Sequence, residues 1–237
     1  MNGYKVALAG NPNTGKSTLF NALTGLRQHT GNWSGKTVDL AYGEYDYLGQ
    51  TNTIVDLPGT YSLLSNSTDE EVARNFIIFE KPDVTLVVMD ATSLERNSNL
   101  ALQVLEMTDK VIICINLLDE AERKGIIVDD KKLSKLFGVP VVKISARNKI
   151  GFPRLMKTIH EVATGKIKTT PYQVIYNEDI EKGIQNIVPI IENMFSSHYP
   201  LRWVALRLLD GDTDLLAMLK EKIKDNNSLK EVSGRGN

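Results

Sequence analysis

The run Gly10-Asn-Pro-Asn-Thr-Gly15-Lys16-Ser17 most constrains how this chain can fold. It fits the pattern G-x-x-x-x-G-K-[S/T], follows the apolar segment 5–9 and opens a segment with helical periodicity. Glycines let the backbone wrap closely around phosphates with its N–H groups pointing inward, and the helix N-terminus adds positive potential. The sequence therefore predicts a phosphate-binding loop (P-loop) between the first strand and the first helix.

Side-chain chemistry divides the roles within this P-loop. Lys16 is predicted to bridge the β- and γ-phosphates of a nucleotide, and the Ser17 hydroxyl to ligate Mg²⁺. The loop residues predicted to contact the nucleotide are Gly10, Asn11, Pro12, Asn13, Thr14, Gly15, Lys16, Ser17 and Thr18.

Short apolar runs alternate with helix-period segments along most of the chain. The predicted strands are 5–9, 38–47, 51–55, 84–89, 111–115 and 141–144, and the helices between them are 16–23, 69–79, 94–107, 130–136 and 153–163. Such alternation predicts an α/β fold with a mostly parallel six-stranded sheet flanked by helices, in which 38–47 and 51–55 form an antiparallel hairpin. We expect ligands at the carboxyl ends of the strands, and Thr68-x-x-Glu71 reads as a capping box.

The last part of the chain has a different pattern. Apolar residues keep a helical rhythm over 180–194, and two further helices are predicted over 201–209 and 213–224, whereas the final residues are polar. The predicted domains are therefore an α/β domain over 1–168 and a small all-α domain over 169–226, followed by a disordered tail over 227–237.

Composition excludes several classes of protein. Among 237 residues the formal net charge is -1, which argues against a nucleic-acid partner because such proteins need a basic excess. The one cysteine, Cys114, cannot form an internal disulfide. We find neither a signal peptide nor an apolar run long enough to span a bilayer, so we expect a water-soluble protein of a reducing compartment.

Asp56-Leu57-Pro58-Gly59 follows the predicted strand 51–55. An acid in this position holds Mg²⁺ through water, and Gly59 leaves its N–H free to approach the γ-phosphate. These four residues are therefore predicted to contact the nucleotide or its metal ion.

The polar segment 27–40 carries glycines and is predicted to be mobile. Thr37 directly precedes a strand and is our candidate to complete the Mg²⁺ shell and sense the γ-phosphate. Thr30 is the alternative. Gly35 and Lys36 are predicted to lie at the nucleotide beside Thr37.

Two further elements predict which base is bound. A carboxylate in the position of Asp119, in Asn116-Leu117-Leu118-Asp119, accepts two hydrogen bonds from guanine, whereas adenine offers it a lone pair. Ser145-Ala146-Arg147 follows the last predicted strand, where a backbone N–H would meet guanine O6. Together these elements predict guanine, so an ATPase is disfavoured.

These motifs resemble those of Ras-like P-loop GTPases of the TRAFAC class. More narrowly, the chain resembles the cytosolic N-terminal part of the ferrous iron transport protein B family along nearly its whole length. The stretches that carry this resemblance are GNPNTGKSTLFNALTG, GNWSGKTV, DLPGTYSL, DEEVARNF and a base motif N-x-x-D that lacks lysine.

The resemblance implies a GTP-binding G domain followed by a helical (spacer, GDI-like) domain, with the tail leading toward a membrane region. The chain would bind GTP and GDP, hydrolyse GTP and regulate iron(II) uptake by the membrane-embedded transport region of the same full-length protein. It would then lie in the cytoplasm, at the inner face of the cell membrane. Homo-oligomerisation stays open, and no nucleic acid is expected as a partner.

Hydrolysis is predicted to be slow without a cation. Thr60 is too short to orient the attacking water as a glutamine does in many GTPases. In GTPases that this chain resembles, an asparagine in the position of Asn13 helps to bind a K⁺ ion where an arginine finger would stand. The predicted catalytic residues are Asn13, Lys16, Thr37 and Gly59, with Ser17, Thr37 and Asp56 at Mg²⁺ and Asn13 at K⁺.

Leu117 stands where guanine-binding proteins usually have lysine. The lysine stem would lie along the nucleotide, so its loss predicts modest GDP affinity and fast release. Two alternatives to the iron-uptake GTPase remain: a soluble RNA- or ribosome-associated assembly GTPase, and a nucleotide-binding interaction module with negligible turnover.

Overall fold

A computed structural model of the chain describes residues 3–25, 27–32, 38–64, 67–195, 199–212 and 214–221. The chain divides into two compact units, 1–173 and 174–237. The sequence places the domain boundary at 168/169, and the tail predicted over 227–237 lies outside the described residues.

The first unit is built on a seven-stranded sheet with the order β2-β3-β4-β1-β5-β6-β7. Five strands run parallel, while β2 and β3 are antiparallel to their neighbours. The strands are β1 Lys5–Gly10, β2 Gln28–Asn32, β3 Asp39–Tyr47, β4 Gln50–Asp56, β5 Val84–Asp90, β6 Val111–Asn116 and β7 Val141–Lys143. The predicted α/β class and the β3–β4 hairpin are confirmed, but the predicted count of six strands is wrong.

The strand that sequence reasoning missed is β2. It pairs with β3 from Gln28 opposite Gly43 to Asn32 opposite Asp39, at one edge of the sheet. The segment is polar and shows no apolar alternation, because an edge strand with exposed side chains needs none. Its backbone pairing with β3 therefore leaves no signature in its side chains.

The helices of the first unit agree with the predicted pattern except in two places. They are α1 Lys16–Thr24, α2 Thr68–Asn75, α3 Leu94–Met107, α4 Leu118–Arg123, α5 Asp130–Phe137 and α6 Phe152–Ala163. The short α4 was not predicted, and the single helix predicted over 69–79 becomes α2 followed by a π-helical segment, Phe76–Glu80. The predicted capping box is also wrong by one residue, because Ser67 accepts the Glu70 N–H at 3.2 Å and is the N-cap of α2.

The central strands of the sheet are continuous apolar runs because they are buried in the core. Every residue of β6 is buried, as are all but one residue each of β1 and β5, because these strands are covered on both faces. Cys114 belongs to this core, and burial raises the pKa of its thiol well above the usual range. The thiol therefore stays protonated and unreactive.

The second unit is helical in its described residues, with α7 Glu178–Phe195, α8 Leu201–Leu209 and a further helix over 214–221. Gly183 lets α7 approach α8, since an added Cβ would lie 3.0 Å from Leu209. Arg202 of α8 binds both oxygens of Glu181, at 2.8 and 2.7 Å. These bonds and the Tyr176 N–H lower the pKa of Glu181 to about 2. Within the part of the chain that the structure describes, no helix is both long and apolar enough to cross a bilayer.

The segment after α6 is held against the end of α5. The Thr170 N–H donates to the Gly138 carbonyl at 3.0 Å, and the Tyr172 N–H to that of Phe137 at 2.8 Å. Gly138 has a φ of 70°, and a Cβ there would lie 1.9 Å from the Thr170 oxygen. The absence of a side chain at Gly138 therefore permits this pairing.

We expect Gly138→Ala to destabilise the first unit more than Gly125→Ala does. Both glycines have left-handed backbones, with φ of 70° and 68°, but a Cβ at Gly125 would meet nothing within 4 Å. Backbone strain alone should cost about 1 kcal/mol, and crowding at Gly138 should add about 1–3 kcal/mol. Urea unfolding measures the difference, and equal losses in the two variants would contradict it.

Candidate nucleotide-binding site

Four of the predicted site segments meet at one edge of the sheet. Gly10 ends β1, Asp56 ends β4, Asn116 ends β6, and Ser145 follows β7 closely. Because these strands are parallel, their carboxyl ends lie at the same edge, where α/β sheets bind ligands. The structure therefore brings together segments that are far apart in the sequence.

The P-loop surrounds a cavity of about 290 Å³. Asn13 and Gly15 have left-handed backbones, with φ of 68° and 78°, and α1 begins at Lys16. The Thr14 hydroxyl closes the turn by donating to the Asn11 carbonyl at 3.0 Å. The cavity is lined by Asn11, Pro12, Asn13, Gly15, Lys16, Ser17, Thr18 and Gly59.

Lys16, Ser17 and Asp56 form a polar cluster beside this cavity. The Lys16 ammonium contacts the Asp56 carboxylate and the Leu57 carbonyl, and the Ser17 hydroxyl donates to Asp56 Oδ2 at 3.0 Å. Only 9% of the Lys16 side chain is exposed, so these partners replace water around its ammonium group. Hydroxyl and carboxylate oxygens are hard donors of the kind that Mg²⁺ prefers, so the cluster fits this ion.

The segment from Asp56 to Thr60 lies against the P-loop. The Leu57 N–H donates to the Leu8 carbonyl at 3.0 Å, and the Thr60 N–H to the Gly10 carbonyl at 3.3 Å. A Cβ on Gly59 would lie 3.4 Å from the Pro12 Cα. Gly59 thus borders the cavity of the P-loop, and Pro58 beside it is half-buried.

Asn116 joins the loops of the site. Its Nδ2 donates to the Thr14 carbonyl at 3.0 Å, and its Oδ1 accepts the Ala146 N–H at 2.9 Å. A side chain at Gly15 would collide with this amide, since its Cβ would lie 2.3 Å from Nδ2. Asn116 therefore connects the P-loop to the loop that follows β7.

The segment predicted to bind the base is organised around Asp119. The Ser145 hydroxyl donates to Asp119 Oδ1 at 3.0 Å, and Asn148 Nδ2 donates to the same hydroxyl oxygen at 3.1 Å. Asn148 was missed by sequence reasoning, because an exposed asparagine in a turn gives no signal of its own. Leu118 begins α4, and Arg147 is exposed beside the buried Ala146.

Leu117 has a left-handed backbone with φ of 61°, uncommon for a residue with a branched side chain. Its Cδ2 would lie 3.8 Å from a Cβ on Gly15, so the side chain is beside the P-loop. An apolar side chain therefore stands beside the P-loop at the position where a lysine stem is usual.

The remaining predicted residues are not all visible in the site. Gly35, Lys36 and Thr37 lie outside the described residues. Thr30, the alternative to Thr37, lies in β2 opposite Ala41. Among the described residues, no group of three or more His, Cys, Asp or Glu side chains is placed to hold a metal ion.

Two family models match this chain in separate regions. The model described as ferrous iron transport protein B matches residues 4–159. A second model, described as the FeoB cytosolic helical domain, matches residues 176–235.

Individual relatives agree with these models. The Fe(2+) transporter FeoB of Methanocaldococcus jannaschii is 44% identical over 98% of this chain and 34% of its own length. A fusion protein of Fe(2+) transport protein A and the Fe(2+) transporter FeoB from Porphyromonas gingivalis is 38% identical over 93% of this chain and 26% of its own length. The chain thus spans about a quarter to a third of these curated relatives.

Solved structures match both the sequence and the fold. The cytosolic domain of the T. maritima FeoB iron transporter in a GDP form has a TM-score of 0.84 and 36% identity, covering 93% of this chain and 86% of that chain. The GMPPNP form has a TM-score of 0.81 and 36% identity, covering 92% and 85%.

We expect Asn116→Ala to destabilise the first unit by about 2–4 kcal/mol, because it leaves the Thr14 carbonyl and the Ala146 N–H without their partner. Asn148→Ala removes a single bond at an exposed position and should cost less than about 1 kcal/mol. Urea unfolding of both variants checks this prediction. Similar losses in the free energy of unfolding would show that the loops do not depend on Asn116 for their connection.

Proposed function

Since this chain belongs to the ferrous iron transport protein B family, we propose that residues 1–173 bind GTP and hydrolyse it to GDP and phosphate. The N-terminal domain of this family is a GTPase domain. The observation that carries the proposal is the pair of hydrogen bonds made by the Asn116 side chain. They hold the P-loop and the two segments predicted to bind the base in one site.

Asp119 would select guanine. Its carboxylate is held at Oδ1 by Ser145 and would accept from the N1–H and the exocyclic amine of guanine. Adenine places a lone pair against the same carboxylate, which penalises binding. The Ala146 N–H already donates to Asn116, so the N–H of Arg147 is our candidate donor to guanine O6.

The triphosphate would bind along the P-loop. The N–H groups at the start of α1 and the Lys16 ammonium are the phosphate ligands, and Lys16 would exchange Asp56 for phosphate oxygens. Gly59 borders the same cavity, so its N–H is placed to approach the γ-phosphate. Thr60 is buried and its side chain is too short to orient water as a glutamine does, which supports slow intrinsic turnover.

Two cations would supply charge at the phosphates. Ser17, Asp56 through water, and Thr37 would hold Mg²⁺, which neutralises charge on the β- and γ-phosphates. The side-chain amide of Asn13 offers a neutral oxygen at the lip of the cavity, and K⁺ held there would stabilise charge that develops on the phosphates.

The full-length protein would use this cycle to regulate iron(II) uptake. Residues 176–235 match the helical domain of the family, and the longer relatives are Fe(2+) transporters. We place this chain on the cytoplasmic side of the cell membrane, where the helical (spacer, GDI-like) domain would act on the membrane-embedded transport region. The alternative of an RNA-associated assembly GTPase is not favoured, since the net charge of -1 provides no basic excess.

We expect turnover of GTP but not ATP, and faster turnover in K⁺ than in Na⁺. Phosphate release should be measured for both nucleotides in both salts. Asn13→Ala should lose the K⁺ stimulation, and Asn13→Gly should lose it too, because glycine removes the amide without straining the left-handed backbone. Equal turnover in both salts with an unaffected Asn13→Ala would contradict the K⁺ site, and equal affinity for ATP and GTP would contradict the role of Asp119.

We expect Leu117→Lys to slow GDP release by about five- to tenfold, because the lysine stem would lie along the nucleotide and add about 1 kcal/mol of contact. Leu117→Met is the matched control, since it keeps an apolar side chain of similar size. Stopped-flow displacement of a fluorescent GDP measures both rates. Slow release from the wild-type protein, or equal rates in the two variants, would show that Leu117 does not set GDP affinity.

A further inference from the structure

The segment 60–64, directly after the Asp56–Gly59 motif, is fastened to α3 at two points. Arg96 stacks on the ring of Tyr61, with the guanidinium carbon 4.7 Å from the ring centroid, and its Nη2 donates to the Tyr61 hydroxyl at 2.6 Å. Further along, the Leu63 N–H donates to Gln103 Oε1 at 2.6 Å. Neither contact belongs to the nucleotide-binding motifs.

The two anchoring side chains lie on the same face of α3. Arg96 and Gln103 are seven residues apart, which is close to two turns of an α-helix, so both project toward the same neighbour. Their spacing matches a segment that runs alongside the helix from Tyr61 to Leu63.

The Gln103 contact is the more deeply placed of the two. Only 1% of Leu63 is exposed, so its backbone N–H needs a protein partner, and Gln103 provides the acceptor. The Arg96–Tyr61 contact lies at the surface, where cation–π pairs contribute less. Gln103 is therefore the principal anchor.

α3 is itself fixed to the centre of the sheet. The Asp90 N–H, at the end of β5, donates to Asn97 Oδ1 at 2.7 Å, and only 3% of Asn97 is exposed. β5 pairs directly with β1, which leads into the P-loop. The anchor for segment 60–64 is thus rigid relative to the phosphate site.

The other end of the segment is tied to the P-loop itself. The Thr60 N–H donates to the Gly10 carbonyl at 3.3 Å, and Gly59 borders the phosphate cavity. We propose that Gln103, assisted by Arg96, is a positioning residue for GTP hydrolysis, which holds segment 60–64 on α3 so that the Gly59 N–H stays directed at the γ-phosphate. This inference rests on the proposed GTPase function.

Gln103→Leu and Gln103→Glu separate the hydrogen bond from the bulk of the side chain. Leucine removes the acceptor for the Leu63 N–H, whereas glutamate keeps a side-chain oxygen there. We expect kcat for GTP to fall about fivefold in Gln103→Leu, the factor that a typical net hydrogen bond is worth. Gln103→Glu should stay within about twofold of the wild-type protein, and GDP affinity should be unchanged in both variants.

Hydrogen–deuterium exchange provides a readout that does not depend on turnover. With a non-hydrolysable GTP analogue bound, amides 61–64 should exchange faster in Gln103→Leu than in Gln103→Glu or the wild-type protein. If Gln103→Leu shows the same kcat and the same exchange rates as the wild-type protein, the proposal is overturned. An equal loss in Gln103→Glu would also overturn it, because a variant that keeps the acceptor oxygen would then lose as much as one that lacks it.

The Arg96 contact has its own pair of variants. Tyr61→Phe keeps the ring under the guanidinium but removes the hydroxyl, while Arg96→Ala removes both contacts. A larger loss of kcat in Arg96→Ala than in Tyr61→Phe supports the assisting role of Arg96. If Arg96→Ala has the kcat of the wild-type protein, Arg96 has no such role. If the wild-type protein fails to hydrolyse GTP, the proposed function is wrong, while the exchange experiment still decides whether Gln103 holds the segment.

Discussion

The side-chain amide of Asn116 is the contact on which the nucleotide site depends. One end of the amide binds the P-loop at Thr14 and the other end binds the loop after β7 at Ala146. A planar amide has a donor and an acceptor at a fixed separation, so it sets the distance between the two loops as well as joining them. Because Asn116 is 1% exposed, water does not compete for either bond.

The parallel sheet explains why a single amide is sufficient. β1, β6 and β7 end at the same edge, with only β5 between β1 and β6, so their loops lie close together before any side chain joins them. The strands at this edge are buried on both faces and closely packed, so the edge is rigid. The loops that leave it are therefore held in place at their ends. The segment from Asp56 to Leu63 differs, because it crosses from the P-loop to α3 and is held mainly by single hydrogen bonds.

The failures of sequence reasoning have a common physical cause. β2 was missed because an exposed edge strand is specified by backbone pairing, and the N-cap of α2 was placed one residue late because serine and threonine are equivalent in a capping pattern. The π-helical segment 76–80 has the apolar character of an α-helix and differs only in its hydrogen bonds. In each case the feature is defined by backbone hydrogen bonds and conformation, which the pattern of side-chain types does not specify.

The sequence by itself predicted the fold class, through the alternation of strand and helix patterns. It also identified the P-loop, the Asp56–Gly59 motif and Asp119 as the candidate base-binding carboxylate, because each depends on residue types at short, fixed spacing. Only the tertiary structure decided how these parts are connected. The Asn116–Thr14 bond spans 102 residues and the Leu63–Gln103 bond spans 40. Contacts at such separations depend on how the sheet and helices pack, which no local pattern of residues records.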